Sequence, residues 1–156
     1  MPLDSFPKWA SYPGGEQNLR EVAPGLFVGA VDAVTAQPWH TIIDLYGTAT
    51  DPFKRVRYAT AHQVLSIPFP DGDAIPEGAL ERIDAALSRA KAPTLIHCQA
   101  GLSRSASVAY AMLRHRKHLS HDAALARVTT PGHGHQFPRP TTLASARTWV
   151  QANRRR

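Results

Sequence analysis

The chain has 156 residues, of which 43% are hydrophobic, and its formal net charge is +6. This length is typical of one domain, and the composition excludes disorder and fibrous repeats. Residues 1–10 lack the pattern of a signal peptide, and no apolar run approaches the roughly 20 residues of a membrane span. We therefore expect a soluble, cytoplasmic protein without a transmembrane segment. The positive charge, including Arg154–Arg156, indicates either a solvated surface or an anionic partner.

The first half of the chain predicts strands. Residues 1–20 contain three prolines and a Gly-Gly pair, which favours an irregular N-terminal lead-in. Beyond it, short apolar runs bounded by glycine and proline have the length of strands, and one weaker run has the character of an edge strand. The apolar runs are 26–28, 41–45 and 62–67, and the weaker run is 55–59.

Helical periodicity begins at residue 78. In 78–91 the apolar side chains share one face and Pro93 ends the run, after which Thr94–His97 has the character of a short buried strand. Three further helices are predicted, at 103–118, 121–129 and 141–152. Because strands alternate with helices, we predict an α/β fold in a single domain that spans residues 21–153.

The segment His97–Ser105, with the sequence HCQAGLSRS, joins this buried strand to the next helix. Such a loop turns backbone N–H groups inward at the positive end of a helix dipole, and Gly101 lets the backbone approach an oxyanion closely. We therefore predict that Gln99, Ala100, Gly101, Leu102 and Ser103 bind phosphate through their amides.

Cys98 is the single cysteine of the chain. A lone cysteine is commonly a small buried hydrophobe, but the potential of this loop favours its thiolate, which is a nucleophile. Arg104, predicted one turn into the helix, can hold two phosphate oxygens with its planar fork. Ser105 is placed to hydrogen-bond the sulfur and make it a better leaving group, and His97 is expected to brace the loop.

A thiolate that attacks a phosphate monoester must expel an alkoxide or phenoxide, so the leaving oxygen needs a proton. Asp71 follows a predicted strand and lies 27 residues before Cys98. We predict Asp71 as the general acid and keep Asp73 as the alternative, because Asp-Gly is also a common tight-turn pair. The same acid would then activate water against a cysteinyl-phosphate. The loop amides and Arg104 supply electrostatic stabilisation, so we expect no metal and no cofactor.

The pattern His-Cys, five residues, Arg-Ser resembles the signature of the protein tyrosine phosphatase superfamily, and its form in 97–105 is similar to the dual-specificity branch. Segments 24–30, 67–71 and 137–140 are similar to other parts of that family, so the resemblance extends over about 22–150. It implies a small atypical member with a central mixed sheet of about five strands flanked by helices. It further implies hydrolysis of phosphotyrosine and phosphoserine or phosphothreonine in proteins through a cysteinyl-phosphate.

Four other interpretations share part of this pattern. Phosphoinositide phosphatases often have a lysine in the loop, whereas 99–103 have none. An RNA 5′-phosphatase shares the signature, and the basic C-terminus is compatible with RNA. Rhodanese-type sulfurtransferases seldom have the Arg-Ser ending, and a non-catalytic phosphate-binding module would lack the nucleophile or the acid. His133 and His135 are interpreted as loop residues rather than metal ligands. Without a second cysteine, no disulfide can trap an oxidised Cys98. The oligomeric state stays open.

Overall fold

The structure is a computed structural model, and it describes residues 18–48, 54–130 and 138–154, without the side chains of residues 55 and 56. The described part of the chain contains a five-stranded sheet flanked by helices. Its strands are β1 (Arg20–Ala23), β2 (Leu26–Gly29), β3 (Thr41–Asp44), β4 (Gln63–Ser66) and β5 (Thr94–His97).

Five α-helices and one 3-10 helix (Val31–Thr35) accompany the sheet in the described residues. Helices α2 to α5 begin and end within about two residues of the predicted bounds. Their bounds are α1 (Lys54–Arg57), α2 (Ala79–Arg89), α3 (Arg104–Lys117), α4 (His121–Val128) and α5 (Pro140–Asn153).

The sheet has the strand order β1-β2-β5-β3-β4. Strands β2, β5, β3 and β4 are parallel, and β1 pairs antiparallel with β2 at the edge. The register aligns His97 at the end of β5 with Gly29 on one side and Asp44 on the other. The sheet is therefore mixed and five-stranded, as predicted. Its central strand delivers Cys98 to the carboxyl edge of the sheet, where α/β proteins place their sites.

Each face of the sheet is covered by a hydrophobic cluster. On one face, Val28, Ile43 and Ile96 pack with α2 to α5, and α3 is buried from Arg104 to Leu113. A helix enclosed by neighbours must be apolar or small on all sides, which explains why α3 lacks a clear polar face there. The other face packs against Trp39 and other residues of the second cluster.

One prediction about local structure was wrong. Residues 55–59, predicted as an edge strand, fall in α1 and the turn after it, and the Tyr58 amide donates to the Lys54 carbonyl at 3.0 Å. The edge of the sheet on that side is occupied by β4. Strand β1, which the sequence analysis did not predict, begins at the last residue of the predicted lead-in. Residues 1–17 of that lead-in lie outside the described residues.

Two further findings concern the described residues alone. None of their helices combines the length and apolar character that a bilayer crossing requires. Nor do these residues bring together three histidine, cysteine, aspartate or glutamate side chains as around a metal ion. His133 and His135, which we interpret as loop residues, lie outside the described ranges.

Candidate active site

The nucleophile loop, residues 98–103, connects β5 to α3. Gly101 has φ +76°, and a Cβ there would lie 2.6 Å from the carbonyl carbon of Gly29 and 2.8 Å from the nitrogen of Ala30. Both the backbone conformation and the close approach to β2 therefore require glycine at this position. The loop is held tightly against the end of the neighbouring strand.

Three consecutive carbonyl groups of the loop accept hydrogen bonds from outside it. The Cys98 carbonyl lies 3.2 Å from Nδ1 of His97, the Gln99 carbonyl accepts from the Val31 amide at 3.0 Å, and the Ala100 carbonyl accepts from Nδ2 of Asn18 at 2.6 Å. In a trans peptide the C=O and N–H bonds point in opposite directions. The amides of the next three residues are therefore turned away from these partners, and that of Gly101 faces the Cys98 sulfur.

The sulfur of Cys98 lies at the bottom of this cradle. The Gly101 amide donates to Sγ at 3.3 Å, and Oγ of the buried Ser105 lies 3.2 Å from it. The thiol is 2% exposed, and the N-terminus of α3 follows six residues later. The sulfur thus lies within hydrogen-bond distance of a backbone amide and a hydroxyl group. The structure brings Cys98 and Ser105 together.

Arg104 is the first residue of α3, rather than one turn inside it. Its Nη1 donates to the carbonyls of Leu45 at 3.2 Å and Phe69 at 2.9 Å, and these bonds hold the buried side chain in place. Its Nε has no hydrogen-bond partner in the described residues and lies 3.9 Å from Oδ1 of Asp71. An anchored guanidinium with an unused donor can receive an anion without rearranging.

Asp71 lies in a turn in which the Asp73 amide donates to the Pro70 carbonyl at 3.2 Å. Its carboxylate is 45% exposed, and its Oδ2 accepts from Nε of Arg139 at 3.3 Å. The Asp73 carbonyl accepts from Oγ1 of Thr142 on α5 at 2.7 Å, which fixes that end of the turn away from the loop. Of the two candidate acids, Asp71 is the one that lies beside Arg104.

Arg139 is a site residue that the sequence did not assign. Besides its contact with Asp71, its amide donates to Oγ of Ser103 in the nucleophile loop at 3.0 Å. Arg139 immediately precedes α5 and lies in segment 137–140, whose resemblance to the family assigned no role to the arginine. The packing of α5 against the loop brings it to Asp71.

His97 is fully buried beneath the loop. Burial lowers its pKa to about 4, although the charge of Asp44 acts in the opposite direction, so the ring is neutral near pH 7. With Nδ1 facing the Cys98 carbonyl, Nε2 is left to accept from the Tyr58 hydroxyl at 2.8 Å. A neutral ring held on both sides is suited to bracing the loop rather than to moving protons.

A buried carboxylate, Asp44, completes the layer below His97. Its Oδ2 lies 2.7 Å from Nζ of Lys54 and 2.6 Å from Oγ of Ser66, and the Tyr46 amide donates to Oδ1 at 2.9 Å. Burial raises the pKa of Asp44, but these hydrogen bonds outweigh it and the pKa is lowered. The sequence analysis missed this network, because its members come from β3, β4 and α1.

A cleft of about 590 Å³ opens above the loop. Among the described residues that line it, Arg104 is the only cation and Asp71 the only anion. The lining residues are Tyr46, Gly47, Thr48, Pro68, Phe69, Pro70, Asp71, Gln99 and Arg104. Of the predicted site residues, Gln99, Arg104 and Asp71 line this cleft, whereas Cys98 and Ser105 are buried.

The fold of the described residues is similar to that of solved phosphatases, dual-specificity enzymes among them. Tk-PTP in its active form superposes with a TM-score of 0.70 at 20% identity, covering 86% of this chain and 97% of its own. Human DUSP28 gives 0.67 at 25% identity, with 87% and 95% covered. P. aeruginosa TpbA gives 0.62 at 21% identity, with 87% and 84% covered. No protein-family model and no curated protein sequence matches the chain.

Proposed function

We propose that this phosphatase hydrolyses phosphotyrosine and phosphoserine or phosphothreonine in proteins through a cysteinyl-phosphate on Cys98. The observation that carries the proposal is the Gly101 amide donating to the sulfur of Cys98, in a loop that leads directly into Arg104, whose Nε has no hydrogen-bond partner in the described residues. The catalytic domain comprises residues 21–153, together with the short segment before them that contacts the loop. Because the nucleophile must stay reduced, we place the activity in a reducing compartment such as the cytoplasm.

In the first step, the thiolate attacks phosphorus, a P–S bond forms, and the P–O bond to the substrate side chain breaks. The leaving oxygen takes a proton from Asp71 in its acid form, while the loop amides and Arg104 bind the three non-bridging oxygens. The contact of Asp71 with Arg104 and Arg139 holds its carboxyl group at the mouth of the cradle.

In the second step, the Asp71 carboxylate takes a proton from water as the water attacks phosphorus. The P–S bond breaks, inorganic phosphate is formed, and the thiolate returns. The hydroxyl of Ser105, 3.2 Å from Sγ, donates a hydrogen bond to the departing sulfur and lowers the energy of the thiolate. Both steps are balanced in atoms and charge by the substrate, water, Cys98 and Asp71, without a metal or a cofactor.

The composition of the cleft supports a phosphorylated protein side chain as the substrate. Among the described lining residues there is one cation, Arg104, whereas a polyphosphorylated inositol would need several. A cysteine-to-serine variant of P. aeruginosa TpbA is known in complex with pTyr, with a TM-score of 0.60 to this chain at 21% identity. That ligand supports the same class of substrate here.

The test is a comparison of turnover on phosphotyrosine peptides, phosphothreonine peptides, phosphoinositides and 5′-phosphorylated RNA. We expect turnover of both peptide classes and little on the lipid or the RNA; preference for either of the latter would contradict the assigned substrate class. The matched control is Cys98→Ser, which should lose turnover while keeping vanadate binding, because the cradle remains. Retained turnover in Cys98→Ser would refute the covalent route.

A further inference from the structure

We infer that Asn18 and Arg20 are positioning residues for the nucleophile: they hold the Ala100–Gly101 peptide so that its amide points at the Cys98 sulfur. The inference rests on the proposed role of Cys98. Neither residue belongs to the loop, and Asn18 is 82 residues away from Ala100 in sequence.

Asn18 reaches the loop from the segment just before β1. Its Nδ2 donates to the Ala100 carbonyl at 2.6 Å, and the residue is 4% exposed. Its φ is +41°, in the left-handed region that asparagine tolerates better than most residues. Asparagine suits this position because its short side chain carries a hydrogen-bond donor and its backbone tolerates the left-handed conformation.

The carbonyl of Ala100 and the amide of Gly101 are the two ends of one peptide plane. Because they point in opposite directions, the bond from Asn18 to the carbonyl orients the amide, which donates to Sγ at 3.3 Å. If this peptide rotated by half a turn, a carbonyl oxygen would face the sulfur and would repel its negative charge. The Asn18 bond is thus directly coupled to the donor that stabilises the thiolate.

Arg20 holds Asn18 in turn. Its Nη1 donates to the Asn18 carbonyl at 2.6 Å and its Nη2 to the carbonyl of Val128, while its Nε has no partner in the described residues. The residue is 7% exposed. Burial lowers the pKa of Arg20 to about 10, and the negative charge of Cys98 acts in the opposite direction.

The experiment measures the rate of Cys98 alkylation by iodoacetamide against pH in the full chain. The single cysteine makes the signal unambiguous. Asn18→Gly removes the donor and keeps the left-handed backbone, and Asn18→Asp replaces the donor by an acceptor of the same shape. We expect both profiles to move to higher pH by about one unit, so that alkylation slows about tenfold at pH values below the midpoint of the profile.

Arg20 is tested by a matched pair. Arg20→Gln and Arg20→Lys both lose the fork that bonds the Asn18 and Val128 carbonyls, so both should move the profile to higher pH although Arg20→Lys keeps the charge. Arg127→Gln is the control, because Nη1 of Arg127 on α4 also donates to a β1 carbonyl, that of Val22 at 2.9 Å, without contacting the loop. Its profile should match that of the unmodified protein.

If these residues only stabilised the fold, their substitution would lower the melting temperature of the protein and leave the alkylation profile unchanged. That result in both Asn18→Gly and Arg20→Gln would overturn the inference. If the Asn18 variants do not fold, the two Arg20 variants decide. Alkylation of Cys98 can be measured without a phosphorylated substrate. A protein that turns over none of the substrates would therefore contradict the proposed function, while the alkylation profiles would still test the inference about Asn18 and Arg20.

Discussion

The hydroxyl of Tyr58 lies 2.8 Å from Nε2 of His97, although the two residues are 39 positions apart in sequence. Because a carbonyl can only accept, the neutral ring donates from Nδ1 to the Cys98 carbonyl, and Nε2 faces the Tyr58 hydroxyl. The turn after α1 therefore contacts the ring that holds the first peptide of the nucleophile loop. Loop geometry and core packing are thus linked through one imidazole.

The buried, neutral state of His97 predicts a pH-dependent stability. Its folded-state pKa is about 4 against an ordinary value of 6.5. As pH falls below 6.5 the unfolded chain binds a proton that the folded chain does not, so the contribution is complete above pH 6.5 and is lost toward pH 4. It amounts to about 3 kcal/mol at most.

Urea denaturation at about pH 7 and about pH 5 measures this loss. We expect His97→Gln to be less stable near neutral pH but to lose less stability on acidification than the unmodified protein. His118→Asn, which replaces an exposed histidine in the left-handed region, should keep the original pH dependence. Equal pH dependence in His97→Gln and the unmodified protein would contradict the assignment.

Asp71→Ala should slow hydrolysis of alkyl phosphates by about a hundredfold or more, since general acid catalysis contributes at least that much. Esters with acidic phenol leaving groups should be much less affected, because such a phenolate is stable enough to leave without first taking up a proton. Steady-state kinetics on both kinds of ester measure the difference. Asp73→Ala is the matched variant, two residues along the same turn, and a larger leaving-group effect there would transfer the role to Asp73.

Ser105→Ala should slow breakdown of the cysteinyl-phosphate more than its formation. The hydroxyl lies 3.2 Å from the sulfur, and a hydrogen bond to a charged group contributes about 1.5–3 kcal/mol, which corresponds to about 10- to 100-fold in rate. Rapid-quench kinetics with an activated phenyl phosphate should then show a burst of phenol followed by slow turnover. Ser105→Thr, which keeps the hydroxyl, should restore turnover; a uniform slowing of both steps would argue against this role.

Gly101→Ala should abolish activity, because the added Cβ would meet the backbone of β2 at 2.6 Å and displace the loop. A displacement of about 1 Å at a reacting group lowers rates by about a hundredfold. Gly78→Ala is the matched control: Gly78 also has positive φ, +81°, but a Cβ there meets nothing within 4 Å. It should lose about 1–2 kcal/mol of stability with activity intact. Full activity in Gly101→Ala would mean that the loop adopts another conformation.

Local sequence was sufficient for the parts of the fold in which one element follows another. The apolar strand Thr94–His97, the loop after it and the helix from Arg104 were all predicted, because strand length, glycine and helical periodicity act within a few residues. Residues 55–59 were mistaken for a strand because a four-residue helix has too few turns to show a period. Strand β1 was missed because two of its four residues, Arg20 and Glu21, are charged.

The sequence by itself was enough to propose Cys98 as the nucleophile with Arg104 and Ser105 near it, because all three lie within eight consecutive residues whose geometry follows from one strand–loop–helix connection. Only the tertiary structure decided what surrounds them. It brought Asp71 to Arg104, Arg139 to Asp71, Tyr58 to His97 and Asn18 to Ala100. Each of these contacts joins residues from different elements, and such contacts are set by strand order and helix packing, which no local pattern encodes.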